Sequence, residues 1–546
     1  MKGDFSRDTF HRRHRFSRVL MQQGRVLLDA DWNEQTSILL HTIRTLAADL
    51  IGPHGGPGDG FMIGCTDEDG EELHCDFTIG RGHYYVDGIL CENDASARCG
   101  ADGGTPPLMY TKQQDYPDPA PLEHGTRYLV YLDVWERHVT HVEVDVLREV
   151  ALGGPDTASR ARIVWQVRVA DESECGDHEQ DATCAELLAA WIEDRPRCLR
   201  ARARVPVDDD DPCIIPPTAR YRGAENQLYR VEIHDEGRGS GAGGAKHRAT
   251  FKWSRDNGSV VSRIRRLQGE TATLDSLGPD ERRGFKEGDW VEVLDDRTVL
   301  RGAPGILARV DAVDRVEFEV TLAAAGDEPL PEFDEDTATH PLLRRWDHGS
   351  DAIPVQEGRW IDLEDGVQIY FEPDGQYRSG DYWLIPARTA IGDVLWEYET
   401  DDDGDRWPEA LPPHGIEHHY APLGRISLDA DGGIVCDEVQ DCRCGFPQLC
   451  PPAPVADENE FQPAPDRDTR PGREDVSRRD EERLAELRRI ADVGDVRARR
   501  LLESGRDRPA AVAAMSVAEI QSLLDVREEV AQNILESARR LVGQNR

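Results

Sequence analysis

The residues of this 546-residue chain that could do chemistry are twelve cysteines and a few histidine- and arginine-bearing tracts. The tightest group is CDEVQDCRCGFPQLC, where Cys436, Cys442, Cys444 and Cys450 fall within one short loop. Four thiolates that close could hold a structural zinc, although the paired C-x-x-C knuckles of a strong zinc site are missing. One or two local disulfides, or free thiols, are the other readings of that spacing. PPHGIEHHYAPL sets His414, Glu417 and His418 at the spacing of an inverted zinc-protease motif. That chemistry needs a helix to bring both imidazoles to one face, and Pro412, Pro413 and Gly415 oppose one. The tract reads instead as histidines packed at a domain seam. No phosphate loop ending in Lys-Ser/Thr occurs, and no G-x-S-x-G nucleophile elbow. Carboxylate pairs such as Glu364 and Asp365 are too common here to mark acid–base catalysis. These residues point to no enzyme, and to no cofactor beyond the zinc of that one loop.

Near the C-terminus, DVGDVRARRLLESG (492–505) and DVREEVAQNILESA (525–538) form a weak internal repeat. The pair resembles tandem helix–hairpin–helix units, in which a glycine-containing hairpin offers backbone N–H groups to a phosphate. The resemblance implies phosphate contacts at Gly494, Arg497 and Arg499. The second copy lacks the glycine and adds Glu528 and Glu529, so protein docking is the stronger expectation and nucleic acid is not an expected partner.

The elements that would position these residues follow from composition and periodicity. A net charge of −41 with only five lysines (Lys2, Lys112, Lys246, Lys252 and Lys286) fits a protein living in strong salt, where carboxylates keep the surface hydrated and repulsion is screened. No apolar run is long enough to span a membrane. The opening segment is basic and aromatic, DFSRDTFHRRHRFSRVLMQQGRVLLDADWNEQ. Charged and amide residues interrupt each of its apolar runs, so it is not read as a signal peptide. Residues 16–51 read as helical up to a stop at Gly52-Pro53, with Ile38 to Leu50 as the surest stretch. Its apolar stripe is read as core or as a subunit contact. Phe5, Phe10, Arg15, Phe16, Val19, Leu20 and Trp32 are the candidate docking residues, the aromatics supplying energy and arginine supplying geometry.

From about residue 60 to 450, short β-branched and aromatic runs alternate with turn residues, which predicts a mainly β, multidomain protein of sandwich or small-barrel modules. The division expected is a docking segment at 1–55, β-rich domains at 56–284 and 326–450, and a small barrel-like module at 285–325. A Pro- and charge-rich linker at 451–479 then leads to an all-α domain at 480–546. Asp256-Asn257-Gly258 and Glu364-Asp365-Gly366 read as hairpin turns. GSGAGGAK (239–246) reads as a loop inside a hairpin.

Taken together, tracts such as SRVLMQQGRVLLDADWNEQ, YLVYLDVWERHVT, TFKWSRDNGSVV, YRSGDYWLIPAR and GIEHHYAPL resemble a bacterial and archaeal family found in gene clusters for phage-tail-like contractile injection systems. The resemblance covers roughly residues 1–450. It implies a structural protein of the baseplate or tail-fibre region, oligomeric within the assembly and in contact with baseplate, spike or fibre subunits. Such a protein is assembled in the cytoplasm and then carried on a released or cell-associated particle. Two other classes are distinguished by exposed residues. A carbohydrate- or surface-binding module, with or without hydrolase activity, would need Trp135, Trp165, Trp253 and Trp383 open to solvent. A DNA-associated protein would need Arg497 and Arg499 free.

Overall fold

The computed structural model describes residues 1–67, 70–94, 107–154, 156–175, 182–192, 197–204, 220–238, 248–326, 328–334, 337, 339–400, 406–447, 483–524 and 526–544. The expected linker and GSGAGGAK loop lie outside these residues. The chain divides into two compact units, Met1–Pro451 and Pro452–Arg546.

The first unit is mainly β, as the alternating runs predict. Its longest strands, Arg127–Val139 and Arg160–Asp171, pair antiparallel over their whole length. Arg127–Val139 takes His418–Ser427 on its other edge, with Tyr420 opposite Asp133. A second sheet runs Ile353–Pro354, Thr250–Ser254, Gln227–Ile233, Tyr382–Arg388, Asp393–Val394. Leu199–Ala203 pairs with Val367–Phe371 in a third. These pairings cross between 56–284 and 326–450, so the two stretches are not separate domains. A long strand whose neighbours in sequence cannot cover both edges takes its partner from far along the chain.

The barrel is real but larger than 285–325. It closes through six strands, in the order Val261–Gln268, Thr271–Leu274, Glu319–Ala324, Ile306–Asp314, Trp290–Leu294 and Leu342–Trp346. Three strands cannot close a barrel, so the ring takes its remaining strands from either side of the expected module. Leu267, Val291, Val310, Val320 and Leu322 fill it. Glu364-Asp365-Gly366 turns a hairpin, with Asp365 and Gly366 both at positive φ. Asp256-Asn257-Gly258 turns equally tightly, but joins Thr250–Ser254 to the barrel and not to a hairpin partner.

Helix α1, Asp29–Ile51, ends at Gly52 as predicted, whereas its start lies thirteen residues after the expected Phe16. The stretch before that start, residues 16–28, is not helical, and Gly24 there adopts a left-handed turn conformation. Asp29 and Asp31 then place negative charge at the positive end of the helix dipole. Among the described residues, no helix is long and apolar enough to cross a membrane.

The second unit is helical, through residues 483–487, Asp495–Glu503, Pro509–Ala513, Val517–Leu524 and Glu528–Gln544. Leu487, Leu501, Val512, Ile520, Ile534 and Ala538 are among the residues of its core.

Candidate docking surface

The N-terminal segment is fixed at its root by a buried charge cluster. Arg230, Glu232, Lys252 and Glu292 point inward from neighbouring strands and are each no more than 3% exposed at the side chain. Lys252 Nζ lies 2.5 Å from Glu292 and 3.5 Å from Glu232, while Arg230 Nε is 2.6 Å from Glu232. Burial alone would raise both carboxyls. The surrounding cations overcome it, holding Glu232 well below the ordinary carboxylate range and Glu292 down at about 2. Lys2 joins this cluster through Glu232 at 2.9 Å. Asn257 Nδ2 donates to the carbonyls of Met1 and Gly3, and Arg230 donates to Met1 O.

From this root the chain runs back over its own β unit. Phe5 meets the His138 ring edge-on at 5.9 Å, and Phe10 lies 5.7 Å from His41 of α1. Ser6 O accepts from Arg388, and Arg13 Nη1 reaches Glu409 at 2.9 Å. Phe5 and Phe10 are therefore turned inward, contrary to their expected docking role, because each ring finds a partner on the chain's own surface. Val19 is half-buried, and its N–H donates to Gln35 Oε1 at 2.8 Å.

Arg15, Phe16, Leu20 and Trp32 remain open. Phe16 is 58%, Leu20 68% and Trp32 78% exposed. Between Leu20 and α1, Met21, Val26, Leu27 and Leu28 are also exposed. Along the helix, Leu39, Leu40, Ile43, Leu46 and Leu50 continue the same surface. The sequence signal for these residues was their helical recurrence, and it identifies a stripe without saying which way it faces.

The opposite face of α1 is engaged with the β unit. Ala30 and Ile38 are buried. Ser6 N–H donates to Asp29 at 2.8 Å, Thr9 Oγ1 to Glu34 at 2.6 Å, and Arg44 pairs with Glu136 at 2.9 Å. Gly88 sits at φ +76 beneath the helix, where an added Cβ would run into the Arg44 carbonyl. Helix and arm thus form a held platform whose outward side is apolar.

The other sequence candidates are not assembled into sites. Cys436 pairs with Cys65, and Cys442 with Cys184. Two of the four expected zinc thiolates are thereby consumed in long-range disulfides. Cys444 is free and exposed, and Cys450 lies outside the described residues. The metal-type grouping found among the described residues is elsewhere, at His83, Glu92 and Asp94, with ligand atoms within 4.8 Å of one another on the outward side of a strand pair whose other side is core.

His418 Nδ1 is 2.6 Å from Asp133, while His414 stacks on Tyr382, so the two imidazoles serve different neighbours on a strand and its approach. Trp135, Trp253 and Trp383 are at most 5% exposed, and Trp165 is half-buried with Phe61 packed edge-to-face against it at 4.9 Å, so the four do not form an open sugar-stacking platform. In the helical unit Gly494 caps Asp495–Glu503 in extended conformation. Arg497 donates to the Asp492 carbonyl at 2.6 Å, and Arg499 is exposed.

No curated protein and no solved structure matches the chain. The model of a family of unknown function, DUF6519, matches residues 1–188 and 178–491. With most of its length covered by that model, the chain belongs to the DUF6519 family.

Proposed function

We propose that the chain is a non-enzymatic structural component, of the baseplate or tail-fibre region, in a phage-tail-like contractile injection particle of a salt-adapted prokaryote. It mounts on neighbouring subunits through residues 16–50. The observation that carries the attachment role is the run of exposed apolar residues between Phe16 and Leu50, on a segment held to the β unit at Gly3 and Arg44. A contiguous apolar patch on a highly charged protein marks an interaction surface. The nature of the particle rests on the sequence resemblance, and the salt adaptation on the acidic, lysine-poor composition.

Leu20→Asp with Leu27→Asp tests the mounting directly. Both side chains are exposed in the free chain (68% and 74%), so secondary structure and melting should be unchanged. Incorporation into purified particles should fall by about tenfold or more, since a charge at each of two apolar contacts weakens an interface by at least 1.4 kcal/mol. Wild-type incorporation of this variant would sink the proposal.

A further inference from the structure

We infer that α1 pairs side by side, in parallel, with α1 of a second copy of this chain. The inference rests on reading this surface as an interface and names one of its partners. Trp32, Leu39, Ile43, Leu46 and Leu50 stand seven, four, three and four residues apart. That alternation is the seam of a two-stranded supercoil, in which apolar residues repeat every 3.5 positions. In this register Asp29, Thr36, Ile43 and Leu50 occupy the first core position of each heptad, and Trp32, Leu39 and Leu46 the second; Asp29 stands at the very start of the helix, where its carboxylate accepts from the Ser6 N–H. The five apolar members are between 52% and 78% exposed, so none of the described residues of the β unit covers the seam.

With Leu40 beside it, these six residues expose roughly 700 Å² in all, taking roughly 200 Å² for a fully open large apolar residue, near the ~800 Å² each partner buries in a standard interface. The largest apolar patch on an ordinary monomer is about 300–600 Å². The extent of the seam therefore calls for a partner, and its period calls for a helix.

Charge selects which helix. Two copies carrying −41 each repel one another, so a self-interface must be cleared of charge. The positions flanking the seam are Asn33, Leu40 and Ala47 on one side and Gln35, Thr42 and Asp49 on the other. Only Asp49 is charged, in a chain where 31% of residues are. A different partner helix would be chosen by charges at these flanking positions, and Asp49 is the one charge they carry. β-Branched Thr36 and Ile43 alternating with Leu39 and Leu46 is the combination that favours two parallel strands.

The test uses the full chain. Sedimentation at concentrations up to about 100 µM, in low salt and in about 2 M salt, should give twice the chain mass. Leu39→Glu with Ile43→Glu should raise the dimer dissociation constant about 100-fold or more, with an unchanged far-ultraviolet circular dichroism spectrum. Should that variant fail to fold, cysteine cross-linking decides alone. Thr36→Cys lies in the seam and should oxidise to a covalent dimer, whereas Thr45→Cys, exposed but outside it, should remain at the wild-type background. A wild-type monomer in both salts, a dimer that survives the double substitution, or equal cross-linking at positions 36 and 45 overturns the pairing. Leu20→Asp with Leu27→Asp should still dimerise. Loss of incorporation with the dimer intact, or a monomer that still incorporates, therefore tells failure of one reading from failure of the other.

Discussion

Lys252 carries more of the fold than its single charge suggests. It is one of five lysines, lies in the strand Thr250–Ser254, and is the shared cation of Glu232 and Glu292. Glu292 also accepts from Trp346 Nε1 and from the Gly305 N–H, so its lone pairs are satisfied on several sides. Lys252→Met should cost about 3–5 kcal/mol at pH 7, because it leaves a buried carboxylate without its nearest cation. The folded state holds Glu292 at about 2, below the ordinary ~4.3 of an unfolded chain. Its contribution is therefore complete above about pH 4.3 and is lost as the pH falls toward 2. The deficit of Lys252→Met relative to wild type should shrink as the pH falls from about 4.3 toward 2. Urea titrations followed by tryptophan fluorescence check this, since all eleven tryptophans precede residue 452. A deficit that stays constant with pH would detach Glu292 from the effect. Little of the cluster was legible beforehand. A lysine amid strand residues in a lysine-poor chain is a hint, but the acids that meet it come from other strands.

At the scale of elements, α1 was legible where local rules act alone. The 3–4 recurrence from Ile38 to Leu50 and the Gly52-Pro53 stop specify the helix and its end. Its start lies beyond the turn at Gly24, and its orientation depends on the hairpin turn at Gly88, far outside any helical window. Gly88→Ala should destabilise the β unit by about 2 kcal/mol or more. It combines left-handed backbone strain with a clash against the helix backbone. Hydrogen exchange should quicken in α1 before the sheets, and wild-type protection of α1 in that variant would refute the clamp. The barrel follows the same logic. Strands 290–324 adjoin one another in sequence and are readable, while the three that close the ring flank them at a distance.

Across the whole molecule, long-range pairing decides what a reader of the sequence can see. The cysteine loop at 436–450 looked self-sufficient. Its partners are Cys65 and Cys184, 371 and 258 residues away along the chain, and no local spacing reveals such distances. Cross-links over loops that long restrict the unfolded chain strongly, so reduction should lower the stability of the β unit by about 3–5 kcal/mol per bridge. Denaturant midpoints with and without reductant measure the change, and coincident midpoints would count against bridges that staple the fold.

The way the arm is held has a consequence for biosynthesis. Its contacts include Asn257, Arg388, Glu397 and Glu409, all made long after the arm itself leaves the ribosome. The strand that completes the sheet on Arg127–Val139 ends only at Ser427. A stalled or truncated chain would thus carry the same greasy segment without the body that aims it. Correct presentation of the arm is in this sense a sign of a finished β unit, and a neighbour that binds only the aimed form would admit chains that have completed it and pass over those that have not.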